Sequence, residues 1–246
     1  GEFCFPAKVA LGHVAALAEE EGVDFIFLPQ LGNEHHSEHV TGSAFCPYVQ
    51  GWPAYTRSAL ALNNYLDAAQ CDLHAISSAK RAAQALLASQ RILTPLIDRR
   101  MPKSNLIDCL SSALSQPLGR SRGELANAWQ LALGAQTDFE RACWAMGEEA
   151  IHKAREKGER MIVLCGRPYN NFDSGLNLDL PQKIAERGFT VLPMDFLEPD
   201  YTRLGDRYRN IYWIYGQKIL STLDRVADDE LLDAIYFTNF SCGPDS

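Results

Sequence analysis

Residues 7–31 read "AKVALGHVAALAEEEGVDFIFLPQL". The first part, from Ala7 to Glu20, carries apolar residues at helical spacing, and Gly22 stops it, because glycine enters a left-handed turn without a steric penalty. From Val23 the run "VDFIFLP" is short and nearly all apolar, which predicts a buried strand. A helix feeding such a strand is the repeating unit of a parallel sheet.

The same unit recurs along the chain. Residues 54–90 read as helix-rich, and "RILTP" at 91–95 predicts a strand. Between Leu125 and Ala150 the residues Leu125, Trp129, Leu133, Phe139, Cys143 and Met146 mark an amphipathic helix or a pair of them. "RMIVLCG" at 160–166 is the next strand, and "RPYNNFDSG" is a loop leading into a helix over 179–187 that Gly188 ends. "FTVLPM" at 189–194 and "AIYFTNF" at 234–240 are strands. Between them a long helix is expected over 205–227, with Tyr208, Tyr212, Tyr215, Ile219 and Leu223 along one side. The alternation predicts an α/β fold of Rossmann-like, doubly wound parallel sheets in two lobes with a helical connection. The first lobe, 1–115, carries Cys4 and Cys46; residues 116–246 supply the connection and a second lobe with Cys242.

Composition narrows the function classes. The 246 residues are 46% hydrophobic and 22% charged, as in ordinary globular proteins, with a net charge of -8. That charge argues against nucleic-acid or anionic-membrane partners, since neither polyanion is drawn to an acidic surface. No segment is apolar enough to span a bilayer, and the start lacks the layout of a signal peptide, so the expected compartment is the cytoplasm. Seven cysteines, an odd number with no export signal, point away from a disulfide framework and toward thiols, metal ligands or catalytic thiols.

Cys4, Cys46 and Cys242 share a setting that the other cysteines lack. Each lies in an expected loop with a proline within two residues, in "CFP", "CP" and "CGP". Such turns present a thiol outward, although cysteine is also among the most buried residue types and often only fills space. Cys109 and Cys143 read as core, and Cys165, at a strand end, does too. Cys71 and His74 are three apart, but two ligands alone do not make a metal site. The histidines of "EHHSEH", at 35, 36 and 39, read as a solvated loop.

Several stretches together, "EFCFPAKVALGHVAALAEEEGVDFIFLP", "FCPYVQGWP", "LCGRPYN", "LPMDFL", "YWIYGQKIL" and "YFTNFSCGPDS", resemble the dehydratase-like domain of the superfamily of 2-hydroxyacyl-CoA dehydratases and double-cubane cluster proteins. The resemblance implies an iron-sulfur protein, of 4Fe-4S or double-cubane type, in an anaerobic setting. Its ligands would be Cys4, Cys46 and Cys242. Its electron donor would be an ATPase activator of the sugar-kinase/actin type, fused or separate. A homodimer is kept open as a further assembly. Three thiolates would leave one iron of a 4Fe-4S cluster open.

The segment "CGRPYNNFDSGLN" at 165–177 supplies cofactor-binding candidates: Arg167 to pair with an anionic ligand or cluster sulfide, and Tyr169 and Asn170 to donate hydrogen bonds. Read without the resemblance, it is a capping turn with Asp173 or Ser174 starting a helix. The function implied is radical dehydration of an acyl-CoA, as an iron-sulfur lyase, or an ATP-coupled reduction of a small substrate. The rivals are a non-catalytic module that carries a cluster or docks the activator, and a zinc or structural metal domain. Glu2, Phe3, Tyr48, Trp52 and Asp245 are expected as activator contacts by their nearness to the cysteines.

Overall fold

The computed structural model describes residues 4–35, 39–61, 91–205, 207–208, 210–239 and 242–245. The chain divides into two compact units, one of Gly1–His35 with Phe45–Trp129, the other of His36–Ala44 with Gln130–Ser246. Each is a mixture of helices and small parallel sheets.

The first unit opens with α1, Phe5–Glu19, followed by Gly22 at a φ of 85°, as its position after the helix requires. Strands β1 (Ile26–Phe27) and β2 (Gln30–Leu31) pair in parallel with β3 (Ile92–Leu93) and β4 (Leu96–Ile97). Between them the alternate amides of Ile26, Leu28, Gln30 and Gly32 donate to the carbonyls of Arg91, Leu93, Pro95 and Ile97 at 2.8–2.9 Å. This is the even spacing of one parallel ladder. Pro95 lacks the N–H that would donate to Leu28 O, which splits the ladder into short strands without ending it, while Pro29 falls at a position whose N–H the ladder does not use. The strands read as "VDFIFLP" and "RILTP" therefore run on past their prolines.

Helix α2 is Pro47–Ala61. The rest of the helix-rich reading, with Cys71 and His74, lies outside the described residues. Helix α3, Lys103–Leu118, buries Leu106, Ile107, Leu110 and Leu114 against Leu93 and Leu125. It ends at Gly119 in a left-handed cap whose amide returns to Gln116, with Arg120 N donating to Ser115 O. A capping box follows: Glu124 N donates to Ser121 Oγ at 3.2 Å, and Ser121 N donates to Glu124 Oε2 at 2.8 Å.

That box starts a single helix, α4, Arg122–Lys157, of 36 residues. Its apolar stripe packs only where a core lies beneath it. Leu125 is buried in the first unit and Ile151 and Ala154 in the second, while Phe139 and Met146 are exposed.

In the second unit β5, Met161–Cys165, lies between β6 (Thr190–Pro193) and β7 (Leu232–Tyr236), all parallel, with Met161 level with Thr190 and Leu232. Val163, Leu164 and Cys165 are completely buried, as expected of a central strand covered on both faces. The turn after β5, read as a loop, holds two short helices, α5 (Pro168–Phe172) and α6 (Ser174–Asn177), and the helix expected over 179–187 follows as α7 (Leu180–Ala185). Asp173 caps α6 by accepting from Leu176 N at 2.9 Å.

Helix α8 spans Ile214–Ala227, so it begins later than the sequence pattern suggests. Ala44 forms a parallel bridge to Trp213, with Ala44 N donating to Tyr212 O and Ile214 N to Ala44 O. That pairing holds Trp213 extended, and it becomes the N-cap. Tyr208 and Tyr212 consequently lie outside the helix, while Tyr215, Ile219 and Leu223 pack on the sheet core. The buried Gln217 amide secures the bridge by donating to Gly42 O and Ile211 O, each at 2.7 Å.

Candidate functional site

Cys4, Cys46 and Cys242 have the same local structure. Each immediately precedes a helical turn, and its carbonyl accepts the first bond of that turn: from Ala7 N and Lys8 N for Cys4, Gln50 N for Cys46, and Asp245 N for Cys242. The prolines that mark these cysteines, Pro6, Pro47 and Pro244, fall at the first or second helical position, where a missing N–H costs nothing. Cys4 and Cys242 are buried and Cys46 is half-buried. Cys4 and Cys46 belong to the first unit and Cys242 to the second. Among the described residues, no three or more His, Cys, Asp or Glu side chains are gathered as a metal-binding group.

Within the second unit, Cys242 lies in the loop that follows β7, beside the turn that follows β5. Arg167, at the start of that turn, donates from Nε to both carboxylate oxygens of Asp245 at 2.8 and 3.0 Å, and from Nη2 to Oδ1 at 2.5 Å. Its guanidinium also lies over the Tyr215 ring, 5.3 Å from the centroid. Burial alone would lower the Arg167 pKa, but the bonds and charge of Asp245 outweigh it and raise it. Asp245 has its side chain only 1% exposed, so it is not the surface acid expected to meet an activator. Its carbonyl accepts from Tyr236 Oη at 2.6 Å.

Asn170, also buried, donates to Phe237 O at 3.4 Å and accepts from Asn239 Nδ2 at 2.5 Å. Tyr169 is half-buried next to Arg167. Asn171 donates to Gly166 O at 3.3 Å and to Asp195 Oδ2 at 2.9 Å. Gly166 has no room for a side chain, because a Cβ would sit 2.9 Å from Phe237 O.

Burial pushes the Cys242 thiol up to about 11, with a hydrogen bond to Asp245 and its charge adding to the rise, while Arg167 and Thr238 oppose it. Tyr236 is raised to about 12 by burial and then by Asp245 and Cys242. Cys165 rises to about 12 through burial and the charge of Asp195, consistent with its place in the sheet core. Asp195 is raised by burial, against the Asn171 hydrogen bond and the Lys218 charge.

The remaining candidates are ordinary. Cys109 and Cys143 are half-buried on helix surfaces and outside the buried clusters, so neither is a core residue as expected. His35 and His39 are exposed, while His36 lies outside the described residues, as do Glu2 and Phe3. Tyr48 and Trp52 are half-buried, with the Tyr48 ring 5.5 Å from that of Tyr55. The residues that sequence reasoning passed over are Asn239 and Tyr236, together with the pairing role of Asp245. Their signal was present, since they stand in the stretch "YFTNFSCGPDS" that surrounds Cys242.

A family model described as a CoA enzyme activase uncharacterised domain (DUF2229) matches residues 1–197. The chain belongs to this family. The matched span covers Cys4, Cys46 and the 165–171 turn of the activase-related domain, and stops before α8, β7 and Cys242. The chain matches no curated protein and no solved structure. Among the described residues of this activase-related domain, no helix is long and apolar enough to cross a membrane.

Proposed function

We propose that this activase-related chain is an iron-sulfur redox protein related to the 2-hydroxyacyl-CoA dehydratases, with Cys4, Cys46 and Cys242 as ligands of a 4Fe-4S or double-cubane cluster. Its scaffold in this reading is two-lobed and Rossmann-like. It takes low-potential electrons from an ATP-dependent activator of the sugar-kinase/actin type, for the reduction or radical dehydration of a small substrate. Family membership supports a place in an acyl-CoA dehydratase system.

The observation that carries the reading is the local structure shared by the three cysteines. Cys4 and Cys46 stand at the starts of 15-residue helices, where the positive end of the peptide dipoles suits an anionic sulfur ligand, whereas Cys242 precedes a single short turn and has Asp245 opposing its charge. The donor set fits in kind, because thiolates are the usual protein ligands of such clusters. When bound, the cluster supplies one-electron chemistry whose potential depends on ligands, hydrogen bonds and solvent access. Of this chain's own residues, Thr238 and Arg167 favour the Cys242 thiolate, while the bond that the Cys242 thiol donates to Asp245 would be given up on binding iron. In this reading Arg167, Tyr169 and Asn170 lie around the cofactor site, in the turn that adjoins the Cys242 loop.

A second reading is a non-catalytic module that carries a cluster or docks the activator, and the activase description of the family supports its link to an activator. Mixing the purified chain with the reduced cognate ATPase separates the two. ATP-dependent bleaching of a cluster absorbance, followed by substrate turnover, supports the first reading; bleaching without turnover by any acyl-CoA supports the second. Reduction equally fast without nucleotide contradicts the activator-coupled mechanism.

A further inference from the structure

Two motifs of the second unit, the 165–171 turn and the 236–245 stretch, are bonded to each other on both sides of Cys242. On one side, Asn170 donates to Phe237 O and accepts from Asn239. On the other, Arg167 grips the Asp245 carboxylate in two-pronged fashion, while Tyr236 bonds the Asp245 carbonyl. Cys242 stands three residues after Asn239 and three before Asp245. Inside the loop, Cys242 N donates to Asn239 O at 3.2 Å and Asp245 N to Cys242 O at 3.3 Å.

We infer that Arg167 and Asn170 are positioning residues that lock the Cys242 loop at its two ends, with Asp245 and Asn239 as the anchors. The inference rests on the cluster reading only for the purpose of the lock, not for its existence. Arg167 spends the directions of Nε and Nη2 on Asp245 and its face on Tyr215. It acts on the site through the loop, and does not bind a free anion. Fixing both flanks of a ligand residue is how an outer layer of hydrogen bonds sets the position of an inner sulfur. The buried, charge-assisted pair is the stronger anchor, and the Asn170 and Asn239 amides set the register of the other end.

Hydrogen exchange on the metal-free protein, read by mass spectrometry over residues 237–245 with β5 as the internal control, tests the lock. Asp245→Asn and Arg167→Gln should speed exchange at Cys242 and Asp245 by about tenfold or more beyond any change in β5. Asn170→Ala should act mainly at the Phe237 end. Tyr236→Phe, a mild change at a partly exposed residue, should give a rise of about threefold and keeps the test alive if a buried-charge variant fails to fold. Unchanged exchange in the loop of folded variants, or loosening spread evenly into β5, would overturn the inference.

A second readout is iron bound after anaerobic reconstitution. Asp245→Glu, which keeps the charge, should retain more iron than Asp245→Asn at matched melting temperature; equal retention would contradict a positioning role. Iron missing from the wild type as well would overturn the cluster reading, and the exchange data would still judge the lock.

Discussion

Arg167 and Asp245, 78 residues apart in the chain, form a two-pronged ion pair with both side chains almost wholly out of solvent. In such a site the loss of one partner strands the other charge, whereas loss of both leaves a neutral pocket. The single variants Arg167→Met and Asp245→Leu should each lose about 3–5 kcal/mol in urea unfolding. The double variant should recover most of that loss. Singles as stable as the wild type would mean that water reaches the pair.

Gly166 is confined by the loop that carries Cys242. A Cβ there would press on the Phe237 carbonyl at 2.9 Å, and the neighbour is backbone, which cannot swing aside as a side chain can. Gly166→Ala should therefore cost about 1–3 kcal/mol by denaturant unfolding. A neutral result would show that the loop yields freely.

Asp195 sets a pH dependence. Burial raises its pKa above 3.8, so the folded protein holds this proton more tightly than the unfolded chain. Its contribution to stability is therefore greatest below pH 3.8, falls as pH rises through the raised value, and is level above it. Asn171, Lys218 and Cys165 are the groups that interact with it. Asp195→Asn keeps an acceptor for Asn171 and removes the buried charge. It should be more stable than the wild type at pH 7, with the gap closing on acidification. Melting temperatures of the two proteins across pH 3 to 8 check the sign, and a gap that widens in acid would refute it.

Cys109 and Cys143 are half-buried, so replacing either with Ala should cost no more than about 1 kcal/mol and leave bound iron unchanged. Iron loss from a folded variant would move the ligand set away from Cys4, Cys46 and Cys242.

The parallel α/β character was legible because apolar runs such as those around Phe27 and Val163 are local signals of buried strands. The apolar stripe from Leu125 left one helix or a pair open, and the Ser121 and Glu124 capping box fixes only where the single helix starts. The start of α8 was not, because it depends on Ala44 bridging Trp213 from a distant part of the chain. Arg167 stood out in the sequence, but its partner did not. A pair separated by 78 positions leaves no periodic trace, and an acid near the chain end looks like surface until its side chain is found buried.

The most direct test of the central claim is an anaerobic absorption and EPR spectrum of the purified chain, with iron and acid-labile sulfide counted. The account predicts thiolate-to-iron charge-transfer absorption, with about four irons and four sulfides per cluster, lost in Cys4→Ala, Cys46→Ala and Cys242→Ala. A folded, anaerobically reconstituted protein that holds no iron, or that holds it equally well without these three thiols, would contradict it.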